Sequence, residues 1–143
     1  MTEIQHAFHI RSTPASVFDA FTTPRGLDAW WTLESEGVPA AGERYRLHFA
    51  PDCDWFGRVK HCEPGTSLEW LIEQADADWM GTRVGFELHP KQGETLVEFH
   101  HSGWPAANAH FRQSSYCWAM YLRLLRRFVE SGDVVPYRDR LRA

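Results

Sequence analysis

The sequence predicts an α+β fold: a curved antiparallel sheet of about six to seven strands wrapped around one long C-terminal helix, with two short helices after the first strand. Three observations predict it. Apolar residues alternate with period two through most of the chain, in short runs split by turn residues. The period changes to that of a helix after Gly103-Trp104-Pro105. Between the first strand and the remaining ones, Thr-Pro occurs twice, and a hydroxyl residue before proline is a helix-start signal.

The elements follow in order. Ile4, His6, Phe8 and Ile10 lie on one side of a strand, with Gln5, Ala7, His9 and Arg11 on the other. Thr13-Pro14 starts a short helix carrying Val17, Phe18, Ala20 and Phe21. A second, from Thr23-Pro24, ends near Trp30-Trp31. Leu33 to Val38 alternates poorly and is a weak strand candidate. Strands are then predicted over Glu43–Ala50, Trp55–Cys62, Ser67–Gln74, Gly81–His89 and Thr95–Ser102. Their inward residues are Tyr45, Leu47 and Phe49; Leu68, Trp70 and Ile72; Val84, Phe86 and Leu88; and Val97, Phe99 and His101. Gly57 marks a bulge or a close approach. From about His110 to Ser131 a stripe including Phe111, Ser114, Trp118, Tyr121, Leu122, Leu125 and Phe128 recurs at three and four residues. Gly132 is the C-terminal stop. Hairpin-length gaps make the sheet antiparallel, and the last helix is the element long enough to cover it.

At 143 residues the chain is expected to form one domain, 1–143. Hydrophobic residues make up 43% and aromatic ones 14%, with 7 Trp and 9 Phe, so large rings must fill a core or wall a cavity. The net charge of -4 argues against nucleic acid as a partner. Arg123, Arg126 and Arg127 read as a solvated helix face. Cys53, Cys62 and Cys117 form no CxxC motif, and Met1–Ile10 carries Glu3, His6 and His9 rather than an apolar run. Free thiols in a reducing cytoplasm are therefore expected, with no membrane span.

His100-His101 is the most suggestive polar pair. Strand geometry sends the two side chains to opposite faces, with His101 inward beside Val97 and Phe99. There it is a candidate to hydrogen-bond a ligand or act as acid or base; the bland alternative is a core histidine satisfied by a neighbour. Tyr121, one turn from Trp118, is a candidate hydroxyl donor. No metal is predicted, since Cys53, Cys62, His48, His61, His100 and His110 match no zinc spacing. No cofactor is predicted either: neither GxGxxG nor a P-loop occurs. Ser114, Ser115 and Cys117 lack a nucleophile elbow, and Asp76-Ala77-Asp78 with Trp79 reads as a loop tip.

Four stretches together resemble a known family. They are Ser12-Thr13-Pro14-Ala15 through Thr22 with Leu27 and Trp30-Trp31; Gly57-Arg58-Val59 with Pro64 and Leu68-Glu69-Trp70; Thr95–Phe99 leading to His101-Ser102-Gly103-Trp104-Pro105; and Trp118 with Tyr121-Leu122, Leu125 and Glu130-Ser131-Gly132. Their order is similar to that of the START-like helix-grip (SRPBCC) superfamily, and within it to the group named after the activator of Hsp90 ATPase. The resemblance implies a cavity between the long helix and the sheet, of the kind that holds lipids, sterols, hormones or polyketides in relatives. The expected function is binding of a small apolar or aromatic molecule. Its expected contacts are Trp31, Tyr45, Phe49, Trp70, Phe86, Phe99, His101, Trp104, Trp118, Tyr121 and Leu122. The alternatives are a cyclase- or hydrolase-like enzyme using His101 with Tyr121, and a module that regulates a chaperone ATPase. A homodimer or a chaperone is the protein partner the resemblance leaves open.

Overall fold

The period-two runs form one seven-stranded antiparallel sheet. A computed structural model describes residues 2–143. Strand β1 (Thr2–Ile10) leads to helices α1 (Pro14–Thr22) and α2 (Pro24–Trp30). Strands β2 (Glu34–Glu36), β3 (Arg44–Phe49), β4 (Cys53–Glu63), β5 (Ser67–Gln74), β6 (Arg83–Lys91) and β7 (Glu94–Trp104) follow. Helix α3 (Ala109–Ser131) and a terminal 3-10 turn (Tyr137–Arg142) complete the chain. The sheet order is β1-β7-β6-β5-β4-β3-β2, so only the first strand is displaced from chain order, and the three helices cover the inner face.

Both Thr-Pro signals work as caps. Thr13 Oγ1 accepts the Ser16 N–H and Thr23 Oγ1 accepts the Gly26 N–H. Thr23 also terminates α1, so α2 turns off directly. That junction needs Gly26: a Cβ there would stand 2.6 Å from the Ala20 Cα and carbonyl oxygen. Asn108 caps α3 by accepting the Phe111 N–H, and Gly132 ends it at φ 76, the left-handed conformation that glycine adopts at no steric cost.

Where short strands carry no alternation, the sequence reading falls short. Glu34–Glu36 is a strand with a single buried residue, Ser35, held by pairing with Arg46–His48. The charged tail also docks. Arg140 is buried, and its guanidinium donates to the carbonyls of Asp28, Thr32 and Val135. Three acceptors in place of water are what make a buried charge tolerable.

The inward positions of β3 to β7 are buried in one apolar cluster with Phe18, Phe21, Leu27 and Trp30 from α1 and α2, and Trp118, Leu122 and Leu125 from α3. Each such side chain contributes about 1.5–3 kcal/mol through burial. Gly57 fits both readings of it: the β4–β5 register shifts beside it, and a Cβ there would press on the Trp70 side chain at 3.2 Å.

Candidate functional site

Helix α3 carries His110, Gln113, Ser114, Cys117, Trp118 and Tyr121 on one face, at spacings of three and four. Across from them stand Trp31, at the end of α2, Trp55 on β4, and Trp79 in the loop between β5 and β6. Between these walls lies a cavity of about 370 Å³ that opens to solvent. This is within the size range of small-molecule sites.

The aromatic side chains around it close a circuit. Trp31 meets Phe49 (5.3 Å between ring centroids), Phe49 meets Trp55 (5.0 Å), Trp55 meets Trp79 (4.8 Å), Trp79 meets Trp118 (5.8 Å) and Trp118 returns to Trp31 (5.0 Å). Offset and tilted contacts at these distances are the favoured ones for aromatic pairs.

Behind this circuit runs a buried chain of hydrogen bonds. An indole N–H can only donate, so Trp118 Nε1 donates to His101 Nδ1 at 3.1 Å. That fixes the tautomer: the proton sits on Nε2, which donates to Thr82 Oγ1 at 2.9 Å. The Thr82 hydroxyl in turn donates to the Trp79 carbonyl, while Trp79 Nε1 donates to Ser114 Oγ at 3.3 Å. His101 is wholly buried, and burial pushes its pKa down to about 3, with the His100 and His110 charges adding to the effect. It is neutral, and both its nitrogens are engaged.

The predicted contacts thus separate into three groups. Trp31, Trp118 and Tyr121 line the cavity, and Phe49 belongs to the aromatic circuit. His101 points inward as alternation predicts but sits behind the wall, against Trp79 at 4.5 Å and Trp104 at 4.8 Å. Phe99 packs on Trp118, and Leu122 lies in the core. Tyr45, Trp70 and Phe86 are elsewhere: the Tyr45 hydroxyl donates to the Thr22 carbonyl, Trp70 stacks edgewise on Tyr45, and Phe86 stacks on Phe21 at 4.0 Å. Tyr121 is half-buried, which pushes its phenol up to about 12 and keeps it protonated.

Trp55, Trp79, His110, Gln113, Ser114 and Cys117 are the wall residues absent from the predicted contacts. Trp55 had a usable signal: it pairs with Leu47, so the two share the inner face. Trp79 had none, because it lies in an irregular loop whose chain folds back over the strand ends through the Ile72–Thr82 and Gly81–Ile72 backbone bonds. Ser114 and Cys117 were legible as the continuation of the Trp118–Tyr121 stripe.

On the outer face, His100 reaches across Gly85 to Glu69 (2.9 Å), whose other oxygen takes Arg83. Nearby, Glu87, His89 and Glu98 bring one potential ligand atom each within 4.8 Å of one another, in a solvated position where His89 pairs with Glu98. No helix among the described residues is long and apolar enough to cross a membrane.

The family model described as Activator of Hsp90 ATPase homolog 1-like protein matches residues 11–130. Among solved structures, the Aha1 dimer from Colwellia psychrerythraea is 28% identical, with a TM-score of 0.84 over 93% of this chain and 99% of that one. A Mesorhizobium loti protein is 20% identical, with a TM-score of 0.81 over 93% and 100% of the two chains. An AHSA1-like protein from Aeromonas hydrophila is 20% identical, with a TM-score of 0.75 over 92% and 94%. No curated protein matches the chain significantly.

Proposed function

Because this chain belongs to the Activator of Hsp90 ATPase homolog 1-like protein family, we propose that it uses the helix-grip fold to bind a small apolar or aromatic molecule between α3 and the sheet. One observation carries the reading: Trp31, Trp55, Trp79 and Trp118 contribute to the lining of an open cavity that holds no Lys, Arg, Asp or Glu. A concave site with a mainly apolar lining and a few polar groups suits an apolar or aromatic occupant. The His101 position favours binding over acid-base chemistry, since its two ring nitrogens already serve Trp118 and Thr82.

The test is thermal unfolding and tryptophan emission against a panel of aromatic and aliphatic metabolites. A true ligand at 100 times its Kd stabilises the fold by about 2.7 kcal/mol. Cys117→Phe, which fills the cavity from α3, should abolish that shift while leaving the apo protein folded. A panel that moves neither signal overturns the reading.

A second reading rests on the likeness to the Colwellia Aha1 dimer. Under it, the chain stimulates a chaperone ATPase, and its function survives Cys117→Phe. An ATPase assay with the chaperone from the same cell separates the two. Sedimentation of the protein would show whether it pairs as that relative does.

A further inference from the structure

We propose that the free edge of β1, together with the neighbouring face of α3, docks an acidic peptide in extended conformation, which joins the sheet as a further strand. The two edges of the sheet differ in a way that points to this. Strand β1 ends the sheet on one side and β2 on the other. An edge strand leaves a row of N–H and C=O groups unpaired, and proteins blunt such edges with short strands, charges, proline or a covering element. Strand β2 is blunted: it has three residues, two of them exposed glutamates. Strand β1 is not. It runs for nine residues with no Pro, Lys or Arg and one acidic residue, Glu3. Its single irregularity lies at the start, between Thr2 and Ile4, and from Ile4 to Ile10 it pairs regularly with β7. Alternate backbone groups of β1 therefore face outward. On its inward face Ile4 and Ile10 are sealed, whereas Phe8 is only half-buried.

Beside this edge, α3 leaves a groove of about 190 Å³ that shares no lining residue with the aromatic cavity. Its size is below that of whole small-molecule sites and suits single side chains of a peptide lying along the edge. Phe8 and Leu122 give it apolar surface, the small Ala119 leaves it room, and Arg123 and Arg126 bring two positive charges. The carboxylates near the end of α3 are engaged elsewhere. Glu130 feels the Arg126 charge but is bonded to the Arg11 N–H at 2.8 Å, and Asp133 pairs with Arg127. Among the described residues, neither Arg123 nor Arg126 has an ion-pair partner of its own. Helix α3 carries four arginines against one glutamate, in a chain of net charge -4, so the positive surface is local to this face. An added strand points every second side chain at α3. Main-chain bonds to β1 then give affinity, while apolar and acidic side chains alternating along that row meet Phe8 and the arginines and give specificity. A second copy of this chain is the poorer occupant. Two-fold pairing through β1 uses the same patch on both subunits, so each copy would bring the same two arginines to the junction.

The probe is the fluorescein-labelled nonapeptide Thr-Val-Thr-Glu-Thr-Val-Thr-Glu-Thr, followed by anisotropy and by hydrogen exchange of the full chain at low salt. It is expected to bind about tenfold more tightly than the same peptide with lysine at both glutamate positions. It should also slow exchange at alternate amides of β1. The double variant Arg123→Glu, Arg126→Glu should reverse the preference between the two peptides, with circular dichroism confirming that it folds. A lysine peptide that binds as well, a preference that survives the charge reversal, or a backbone-N-methylated peptide that binds equally would each overturn the proposal. So would the absence of binding by either peptide at millimolar concentration. Protection of β1 that grows with protein concentration alone would overturn it and assign the edge to a second copy. Phosphatidylglycerol vesicles that carry the protein down through the two arginines, while the peptide leaves β1 exchange unchanged, would overturn it in favour of a membrane surface.

Discussion

The two ends of the space under α3 are built from the same kind of residue and behave differently. At one end Phe21, Trp30, Tyr45, Trp70 and Phe86 pack into a sealed core beneath α1 and α2. At the other, Trp31, Phe49, Trp55, Trp79 and Trp118 ring an opening. The contrast lies in how polar atoms are satisfied. In the sealed end the partnered ones go to backbone carbonyls, Trp30 Nε1 to Ala20 and the Tyr45 hydroxyl to Thr22, while Trp70 Nε1 has no protein partner. In the open end they go to the side chains of Ser114 and His101. Backbone acceptors are fixed by the fold, whereas side-chain acceptors can turn. Aromatic content alone therefore does not distinguish core from site.

Substitutions at each end sharpen or break that contrast. Trp70→Ala should cost the most, about 3–5 kcal/mol in denaturant unfolding, through the cavity it leaves. Trp70→Phe should be far milder, under about 1.5 kcal/mol, because the Trp70 indole N–H is buried with no protein partner and its loss removes an unmet donor. Next is Gly26→Ala at the α1–α2 junction that seals the core, where a Cβ 2.6 Å from Ala20 backbone should cost about 1–3 kcal/mol.

His101 gives a pH dependence. In the unfolded chain its ring takes a proton near 6.5; in the folded chain burial delays this to about 3. Between those values the unfolded state binds the extra proton. Stability from this residue is therefore lost as pH falls from about 7 toward 3, by at most about 1.4 kcal/mol per pH unit. His101→Gln, which can still accept from Trp118 and donate to Thr82, should flatten that slope in urea titrations run at stepped pH. The smallest effect is expected for Trp55→Ala, about 1 kcal/mol, since this ring is only half-buried. Were it to cost as much as Trp70→Ala, the open end would be core after all.

The architecture was legible because its signals are local and repeated. Thr13-Pro14 and Thr23-Pro24 each announced a helix that their hydroxyls cap, and alternation placed Tyr45, Trp70, Phe86 and Phe99 on the inner face. The cavity was not legible in the same way. Period two says that Tyr45 and Phe49 point inward, but not which of them meets α1, which meets α2 and which meets open space. Those distances are set by helix placement, a property of contacts far apart in sequence. Trp79 was hidden for a related reason: a loop has no period to read. His101 shows the limit from the other side. Its direction was correct from alternation, yet its exposure depends on Trp118, 17 residues away.

One consequence of the buried relay concerns how such a sequence can change. Because indole only donates, the direction of every bond from Trp118 to the Trp79 carbonyl is set at one terminus. Replacing His101 or Thr82 singly by a residue that cannot both accept and donate leaves a donor without an acceptor or the reverse, so most replacements at these positions depend on one another. A lineage drifting away from this arrangement would have to exchange the members together or pass through weakened intermediates. Such paired change, sought across relatives, would appear as covariation among positions 82, 101 and 118.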